Sequence, residues 1–239
     1  MNDYCCFKYR AINKSFLDSL VKSKLYFAPR DKLNDPFDSN VDISRAANKL
    51  IAQGIKTDLF KKLLKDSYEL DRFNKNVDPL GICSFSLAAN ETLLWSHYAE
   101  DHKGVCLRYD FPGAYLNNEN KILGVSKVSY EPNAITNWLT DNIDLFDTDH
   151  KAFIINLLKT LLSSKAPPWT YEQEVRIIRF TTGLFEIPRE TLTHVIFGLQ
   201  TTEADESLVR SIIGKYYRAV KFGRVKRTDD DFGIDTEEI

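Results

Sequence analysis

The chain has 239 residues, of which 43% are apolar and 12% aromatic, so it can bury a core of ordinary size and lacks the composition of a disordered protein. Its formal net charge of −2 and its pI near 6.1 exclude a whole-molecule electrostatic attraction to nucleic acid. No stretch approaches the roughly 20 consecutive apolar residues of a membrane span, and the N-terminus lacks the layout of a signal peptide, so we expect a cytoplasmic protein with no membrane partner.

The cysteine and histidine spacings favour neither disulfides nor a metal site. Cys83 and Cys106 lie in apolar alternating runs, where a free thiol behaves as a small hydrophobic group, and we expect all four cysteines to be reduced and buried. The chain has no CxxC pair, and His97 and His102 are five residues apart, a poor spacing for two ligands on one helix face. The sequence therefore predicts no metal centre.

The chain begins with a predicted strand, helix and second strand. Residues 5–10 alternate and are rich in aromatic side chains, which is typical of a strand, and this strand ends in the polar pair Tyr9 and Arg10. Apolar residues at helical spacing between 16 and 21 predict a helix, and residues 25–28 predict a short strand before a loop.

A helical insertion is predicted at about 41–78, because leucine, isoleucine and phenylalanine recur there at intervals of three and four. The strand that follows, residues 82–86, places Ser84 and Ser86 on the same face, since side chains alternate along a strand. The two serines therefore point in one direction.

The middle of the chain alternates between helix and strand. Asn90 is positioned to cap a short helix over residues 91–99. Strands are predicted at 104–111 and 122–130, and a second helical insertion at about 133–165.

The segment YEQEVRIIRF, residues 171–180, predicts a strand that follows the helix-breaking PPW. In that strand Glu172, Glu174 and Arg176 share a face. The remaining predicted elements are strands at 185–188, 194–198 and 219–225, a helix at 203–216 and a frayed acidic tail at 228–239.

These elements predict an α+β fold and a single domain over residues 1–239. Strands outnumber βαβ units and the helices cluster in insertions, which argues against a doubly wound parallel sheet. We expect a split, twisted sheet, mixed or antiparallel, as the core.

Three polar clusters on separate strands form a recognisable order. An arginine (Arg10), then Ser-x-Ser (Ser84, Ser86), then Glu-x-Glu (Glu172, Glu174) resembles the Arg-Ser-Glu layout of ADP-ribosyltransferases. In that layout the arginine and first serine hold NAD, and the second glutamate stabilises the positive charge that develops on the ribose as nicotinamide leaves. Taken singly, the same residues are typical of surface ion pairs and exposed strand faces.

The chain also resembles the bacterial domain-of-unknown-function family 2971, whose most specific motif here is Leu94–Ala99 (LWSHYA). Members are often stand-alone bacterial or mobile-element proteins, some of them labelled as abortive-infection components, so the resemblance implies phage defence. The other motifs are FKYR (7–10), LYFAPRDKLNDPFD (25–38), CSFSLAANETLLWSHYAEDHKGVCLRYD (83–110), WTYEQEVR (169–176) and VIFG (195–198).

A more distant resemblance is to the DNA-modifying toxins called DarT, which are ADP-ribosyltransferases. It is a likeness in the order of elements: a strand with a Tyr-Arg-type end, a short helix, a phenylalanine-rich strand with its own short helix, and a final strand with a catalytic glutamate. This chain departs from those toxins at the first motif, where it has Arg10 and no histidine.

These resemblances imply the roles of individual residues. Glu174 is the expected catalytic carboxylate, and Glu172 is expected to activate or orient the acceptor nucleophile. Either Asp35 or Asp38, in a loop that otherwise reads as a tight turn, is a further candidate to contact a ribose. The residues expected to hold NAD are Tyr9, Arg10, Ser84, Ser86, Asn90, Trp95, His97 and Tyr98.

Two of these residues have strong structural alternatives. Trp95 beside Leu94 is typical of a core residue, and His97 of a histidine that makes a structural hydrogen bond.

The function expected from the sequence is NAD-dependent ADP-ribosyl transfer by a bacterial toxin or phage-defence effector. The acceptor would be a nucleic acid, a protein side chain or water, and an antitoxin or defence-system partner is expected. The alternative is a non-catalytic nucleotide- or partner-binding module of a defence or toxin–antitoxin system, in which Glu174 and Arg176 are merely paired. A nuclease is disfavoured, because the acidic residues show no metal-binding spacing.

Overall fold

The structure is a computed structural model that describes residues 4–39, 42–65, 75, 77–229 and 232–239. The strands are β1 (Tyr4–Arg10), β2 (Lys24–Phe27), β3 (Gly81–Ser86), β4 (Val105–Phe111), β5 (Ile122–Lys127), β6 (Glu174–Arg179), β7 (Gly183–Glu186), β8 (Leu192–Phe197), β9 (Lys221–Arg227) and β10 (Ile234–Glu238). The α-helices are α1 (Lys14–Lys22), α2 (Ile43–Ala52), α3 (Thr57–Lys65), α4 (Thr92–Tyr98), α5 (Ala134–Asn142), α6 (Leu145–Thr148), α7 (His150–Leu162) and α8 (Glu203–Tyr216).

The predicted α+β class with a mixed sheet is confirmed. Eight strands form one sheet in the order β10-β9-β8-β4-β1-β3-β6-β5, and β2 and β7 form a separate two-stranded sheet. Neighbouring strands of the large sheet run antiparallel except β8 and β9, which are parallel because α8 crosses over between them. Helices occupy both predicted insertions, although residues 41, 66–74 and 76 of the first lie outside the described residues. No helix among the described residues is long and apolar enough to cross a membrane.

The two faces of the large sheet are covered by different helices. On one face Phe85 and Ile177 pack with Phe16 of α1 and Ile213 of α8. The helices of the two insertions pack together in a second apolar cluster, and a third cluster surrounds Trp95 of α4. The cavity described below lies on the face opposite α1 and α8.

Three local predictions are corrected by the structure. Residues 234–238 of the acidic tail are not frayed, because they form β10 and pair with β9. Glu91 rather than Asn90 is the N-cap of α4, where its carboxylate accepts a hydrogen bond from the Leu93 amide. Cys5 is exposed, whereas the other three cysteines are buried.

The strand predicted at residues 171–180 begins later than expected. Residues 167–172 form a 3-10 helix, and Gln173 takes a left-handed conformation (φ 44°) that turns the chain into β6. Glu172 and Glu174 therefore do not share a strand face. Tertiary contacts, described next, bring their carboxylates together instead.

Candidate functional site

A cavity of about 160 Å³ lies where β1, β3 and the start of β6 meet the loop between β2 and α2. Its apolar wall includes Phe7, Tyr9, Leu33 and Leu94. Its polar side chains are Asn34, Asp38, Ser84, Ser86, Tyr98, Lys165, Glu172 and Glu174. Lys8 also lines the cavity, but its ammonium donates to the Ser84 carbonyl oxygen (2.8 Å).

Strand register explains why the serines and Glu174 meet. Phe7 lies opposite Ser86 in the β1–β3 pair, and Ser86 lies opposite Glu174 in the β3–β6 pair. Ser84 is opposite Arg176 in the same way. Since opposed residues point to the same side of a sheet, all of these side chains face the cavity side.

Glu174 is held by an arginine that is completely buried. The Arg176 side chain donates from Nε to Glu174 Oε1 (2.8 Å) and from Nη2 to Oε2 (3.0 Å). The same guanidinium donates to both oxygens of Asp38, at 2.8 and 2.5 Å, and to the Leu162 carbonyl oxygen at 2.8 Å. Arg176 thus ties β6 to the loop carrying Asp38, which is 138 residues away in the chain.

Glu172 is held by a second set of donors. Lys165 Nζ lies 2.5 Å from Glu172 Oε2 and 3.4 Å from Glu174 Oε2, so one ammonium bridges the two carboxylates. The Tyr98 hydroxyl donates to Glu172 Oε1 (2.7 Å) and accepts from the Asn34 side-chain amide (2.6 Å).

The environment shifts the pKa values of the two glutamates in opposite directions. Burial by itself raises the pKa of Glu174, but the charge and hydrogen bonds of Arg176, with the charge of Lys165, outweigh burial and lower the pKa to about 2. For Glu172 burial dominates and raises the pKa above its usual range, although Lys165 and Tyr98 act against it. Glu174 is therefore ionised at neutral pH, whereas the carboxylate of Glu172 has a higher affinity for a proton than that of an ordinary glutamate.

The buried cluster carries one more carboxylate than cation when all its members are ionised. Its members are Asp38, Glu172, Glu174, Lys165 and Arg176, each at most 7% exposed. Buried charges are costly unless paired, so a surplus carboxylate at a cavity favours either a proton or a cationic ligand group there.

Six of the predicted site residues line the cavity, and four do not. Tyr9, Ser84, Ser86, Tyr98, Glu172 and Glu174 line it. Their hydrogen bonds show how they are held: the Tyr9 hydroxyl donates to the Ala88 carbonyl (2.8 Å), and Ser86 Oγ accepts from the Ala88 amide (3.0 Å). The remaining four are Arg10, Asn90, Trp95 and His97.

Arg10, which was predicted with Tyr9 among the residues that hold NAD, faces away from the cavity that Tyr9 lines. The two residues are adjacent in β1 and must point to opposite faces. Arg10 lies instead near Leu20 of α1 and Tyr217.

The three residues around α4 lie outside the cavity lining as well. Trp95 is fully buried, donates from its indole to the Ala89 carbonyl (2.9 Å) and packs edge-on against Tyr9, so its core alternative is correct. His97 is exposed and shares a hydrogen bond with the Tyr171 hydroxyl (3.0 Å). Asn90 is exposed.

Sequence reasoning missed Lys165 as a site residue and assigned Asp38 a different role. Lys165 stands alone at the end of an apolar helical run, and no local pattern marks it as a partner of two glutamates. Asp38 was one of two alternative candidates, with Asp35, to contact a ribose, and both its oxygens accept from Arg176.

Comparison with known proteins gives a family-model match that covers part of this site. Residues 94–177 match the model of the family described as "Protein of unknown function (DUF2971)". Searches of curated proteins and of solved structures found no match. The matched segment includes Tyr98, Lys165, Glu172, Glu174 and Arg176, and the predicted resemblance to the DUF2971 family is confirmed over residues 94–177.

Proposed function

We propose that the chain is a NAD-dependent ADP-ribosyltransferase and that the cavity receives the nicotinamide end of NAD. The observation that carries the proposal is a pair of buried carboxylates with opposed pKa shifts at the end of a partly aromatic cavity. Two such groups suit a reaction that needs one fixed anion and one proton acceptor.

The fixed anion acts on the charge that forms in the reaction. As the bond between nicotinamide and ribose C1′ breaks, its electron pair leaves with nicotinamide and positive charge develops on the ribose. Glu174 is ionised at neutral pH and held by Arg176, so it stabilises this charge without reorganising.

Glu172 serves the acceptor. A nucleophile that attacks C1′ must lose a proton, and the raised pKa of Glu172 makes its carboxylate a stronger proton acceptor than an ordinary glutamate. Lys165 and Tyr98 fix its orientation.

The size of the cavity limits which part of NAD it holds. A cavity of about 150 Å³ accommodates benzene, so one of about 160 Å³ takes a single six-membered ring and not a dinucleotide. The remainder of NAD lies outside it. The resemblances to abortive-infection proteins and DarT favour a toxin or phage-defence effector that modifies a nucleic acid or protein.

The test is nicotinamide release from NAD by the purified protein, with DNA, RNA and cell lysate supplied as acceptors. Glu174→Gln and Glu172→Gln are each expected to reduce release by at least about 100-fold. Glu119→Gln, at an exposed glutamate outside the cavity lining, is the matched control and is expected to match the wild type. Circular dichroism and thermal melting of each variant separate loss of chemistry from loss of folding. Absence of both NAD binding and nicotinamide release would refute the proposal.

A specific observation favours a second candidate, a non-catalytic binding module. All four oxygens of Glu172 and Glu174 accept hydrogen bonds from protein groups, as in a structural ion-pair network. Binding of NAD or another nucleotide without nicotinamide release would favour this candidate.

A further inference from the structure

A small hollow lies on the face of the large sheet opposite the cavity, where β1 and β4 meet α1 and the start of β2. Its polar lining includes Lys8, Arg10, Lys24 and Tyr109, and residues of α1 contribute to its apolar wall. Among the described residues that line it there is no aspartate or glutamate. The hollow is therefore a partly apolar site that holds three cations and no counter-charge.

Strand geometry explains why these side chains converge. Lys8 and Arg10 are two residues apart in β1, so they point to the same face of the sheet. Tyr109 of β4 lies opposite Cys6, which is two residues before Lys8, and it therefore shares that face. Lys24 is the first residue of β2, the strand that follows α1. The fold thus gathers four hydrogen-bond donors from three strands around one hollow.

None of the three cations is neutralised by the residues that the structure describes. Lys8 donates to the Ser84 carbonyl oxygen (2.8 Å), which carries no full charge. Within the described ranges neither Arg10 nor Lys24 donates a side-chain hydrogen bond, and no carboxylate pairs with any of the three. All three side chains are half-buried. Like charges that are partly withdrawn from water repel one another, so an anion between them is stabilising.

The Tyr109 hydroxyl is a second, independent indication of a ligand. Tyr109 is only 5% exposed, and its hydroxyl has no hydrogen-bond partner in the part of the chain that the structure describes. Its oxygen is nevertheless open to the hollow, unlike Arg189 Nη1, which lacks a partner and is sealed from solvent. Burial raises the pKa of Tyr109, and the nearby charge of Arg10 acts against burial. The hydroxyl is therefore protonated at neutral pH and free to donate to a ligand beside Arg10.

The size and charge of the hollow select the class of ligand. Its enclosed space measures about 10 Å³, roughly the room of one water molecule, so it admits a single ligand atom while the rest of the ligand stays at the mouth. Three positive charges favour a dianion over chloride or a carboxylate. Arginine and lysine are the usual partners of phosphate oxygens. A phosphate group matches this combination.

We propose that the hollow binds a phosphate group, either as inorganic phosphate or as the terminal group of a phosphate monoester. One phosphate oxygen accepts from the Tyr109 hydroxyl inside the hollow, and the others contact Arg10 and Lys24 at its mouth. Because the sheet separates the hollow from the cavity, this phosphate does not belong to a NAD molecule bound in the cavity. The site is independent of the function proposed for the cavity.

The test is titration of the full-length protein with inorganic phosphate and with ribose 5-phosphate, followed by amide chemical shifts and by calorimetry. Sodium chloride keeps the ionic strength constant and serves as the reference anion. Saturable binding is expected, with shifts at Arg10, Lys24 and Tyr109 that chloride does not cause. Tighter binding of ribose 5-phosphate identifies a phosphate monoester as the ligand, and tighter binding of inorganic phosphate identifies the free ion.

Two variants test the named donors. Arg10→Met is expected to weaken phosphate binding at least about tenfold, and Tyr109→Phe about fivefold. Both variants are expected to keep the melting temperature of the phosphate-free wild type, because neither polar group has a hydrogen-bond partner to lose in the described part of the chain. Arg45→Met, at an exposed arginine of α2, is the matched control and is expected to bind as the wild type does.

Two results would overturn the proposal. One is a response to phosphate that is no larger than the response to chloride at equal ionic strength. The other is unchanged phosphate binding by Arg10→Met. Absence of nicotinamide release would count against the function proposed for the cavity and leave this site intact.

Discussion

Arg176 is the residue on which the other buried charges of the site depend. It is 0% exposed and pairs with Asp38 and Glu174 at once. Without the guanidinium, two carboxylates stay buried with little compensation, and breaking a buried ion pair in this way typically costs about 3–5 kcal/mol.

We therefore expect Arg176→Met to lower the free energy of unfolding by about 3–5 kcal/mol, measured by urea denaturation. Lys221→Met is the control, since it removes an exposed cation whose partner, Glu238, is also exposed, and we expect little change. A loss of less than about 1 kcal/mol in Arg176→Met would show that the carboxylates are not held as described.

The low pKa of Glu174 predicts a dependence of stability on acid. The folded pKa is about 2 against an ordinary 4.5, so folding favours the ionised form. The stabilisation is therefore fully present above pH 4.5 and is lost as the pH falls towards 2.

The stability difference between wild type and Glu174→Gln should be large at pH 7 and should shrink between pH 4.5 and pH 2. Urea midpoints measured across this range provide the check, with Glu119→Gln, at an exposed glutamate, as the control variant. If the stability difference between wild type and Glu174→Gln is the same at pH 7 and pH 2, Glu174 is not the group with the depressed pKa.

Close approach of backbone segments constrains the start of β4. A Cβ added to Gly104 would lie 2.2 Å from the Arg10 carbonyl oxygen and 3.0 Å from that of Ala99. This glycine therefore permits the end of α4 and the end of β1 to meet β4. Gly214, within α8, has no heavy atom within 4 Å of an added Cβ.

These two glycines predict opposite effects of the same substitution. Gly104→Ala should destabilise the protein, because backbone must shift to admit the methyl group. Gly214→Ala should stabilise it by up to about 1 kcal/mol, since alanine is the better helix former. Thermal and urea unfolding of both variants provide the measurement, and a neutral Gly104→Ala would contradict the packing of β4 against β1.

At the scale of the whole molecule, β10 is the edge strand on one side of the large sheet and covers β9. It pairs with β9 from Ile234 to Glu238, and Ile234 is buried in the cluster that also contains Val225. Ion pairs Lys221–Glu238 and Lys226–Glu237 cross the same pair of strands. Exposed edge strands promote association between chains.

Deletion of residues 229–239 is expected to lower the melting temperature and to cause association that increases with protein concentration. Calorimetry and size-exclusion chromatography with light scattering measure the two effects. The double variant Glu237→Gln/Glu238→Gln removes only the exposed ion pairs and should behave nearly as the full chain does. If the double variant shows the same fall in melting temperature and the same association as the deletion, then loss of the ion pairs, and not loss of the pairing between β10 and β9, explains the effect of the deletion.

The sequence by itself determined the features that depend on local periodicity. Alternation predicted the common direction of Ser84 and Ser86, and the apolar stripe of α1 and the helical insertions followed from helical spacing. The family motif around α4 and the choice of Glu172 and Glu174 as site residues also needed only the sequence, and both glutamates line the cavity.

Only the tertiary structure decided which face of the sheet forms the site and what holds the glutamates. Because side chains alternate along β1, Tyr9 and Arg10 must point to opposite faces of the sheet. The register of β1 with β3 and the helices packed on each face determine that Tyr9 is the residue that faces the cavity. Lys165 comes from the segment that follows α7, and Asp38 from a loop 138 residues before Arg176. Their pairing depends on long-range packing, which leaves no periodic signal in the chain, and this is why the sequence did not predict the ion-pair cluster.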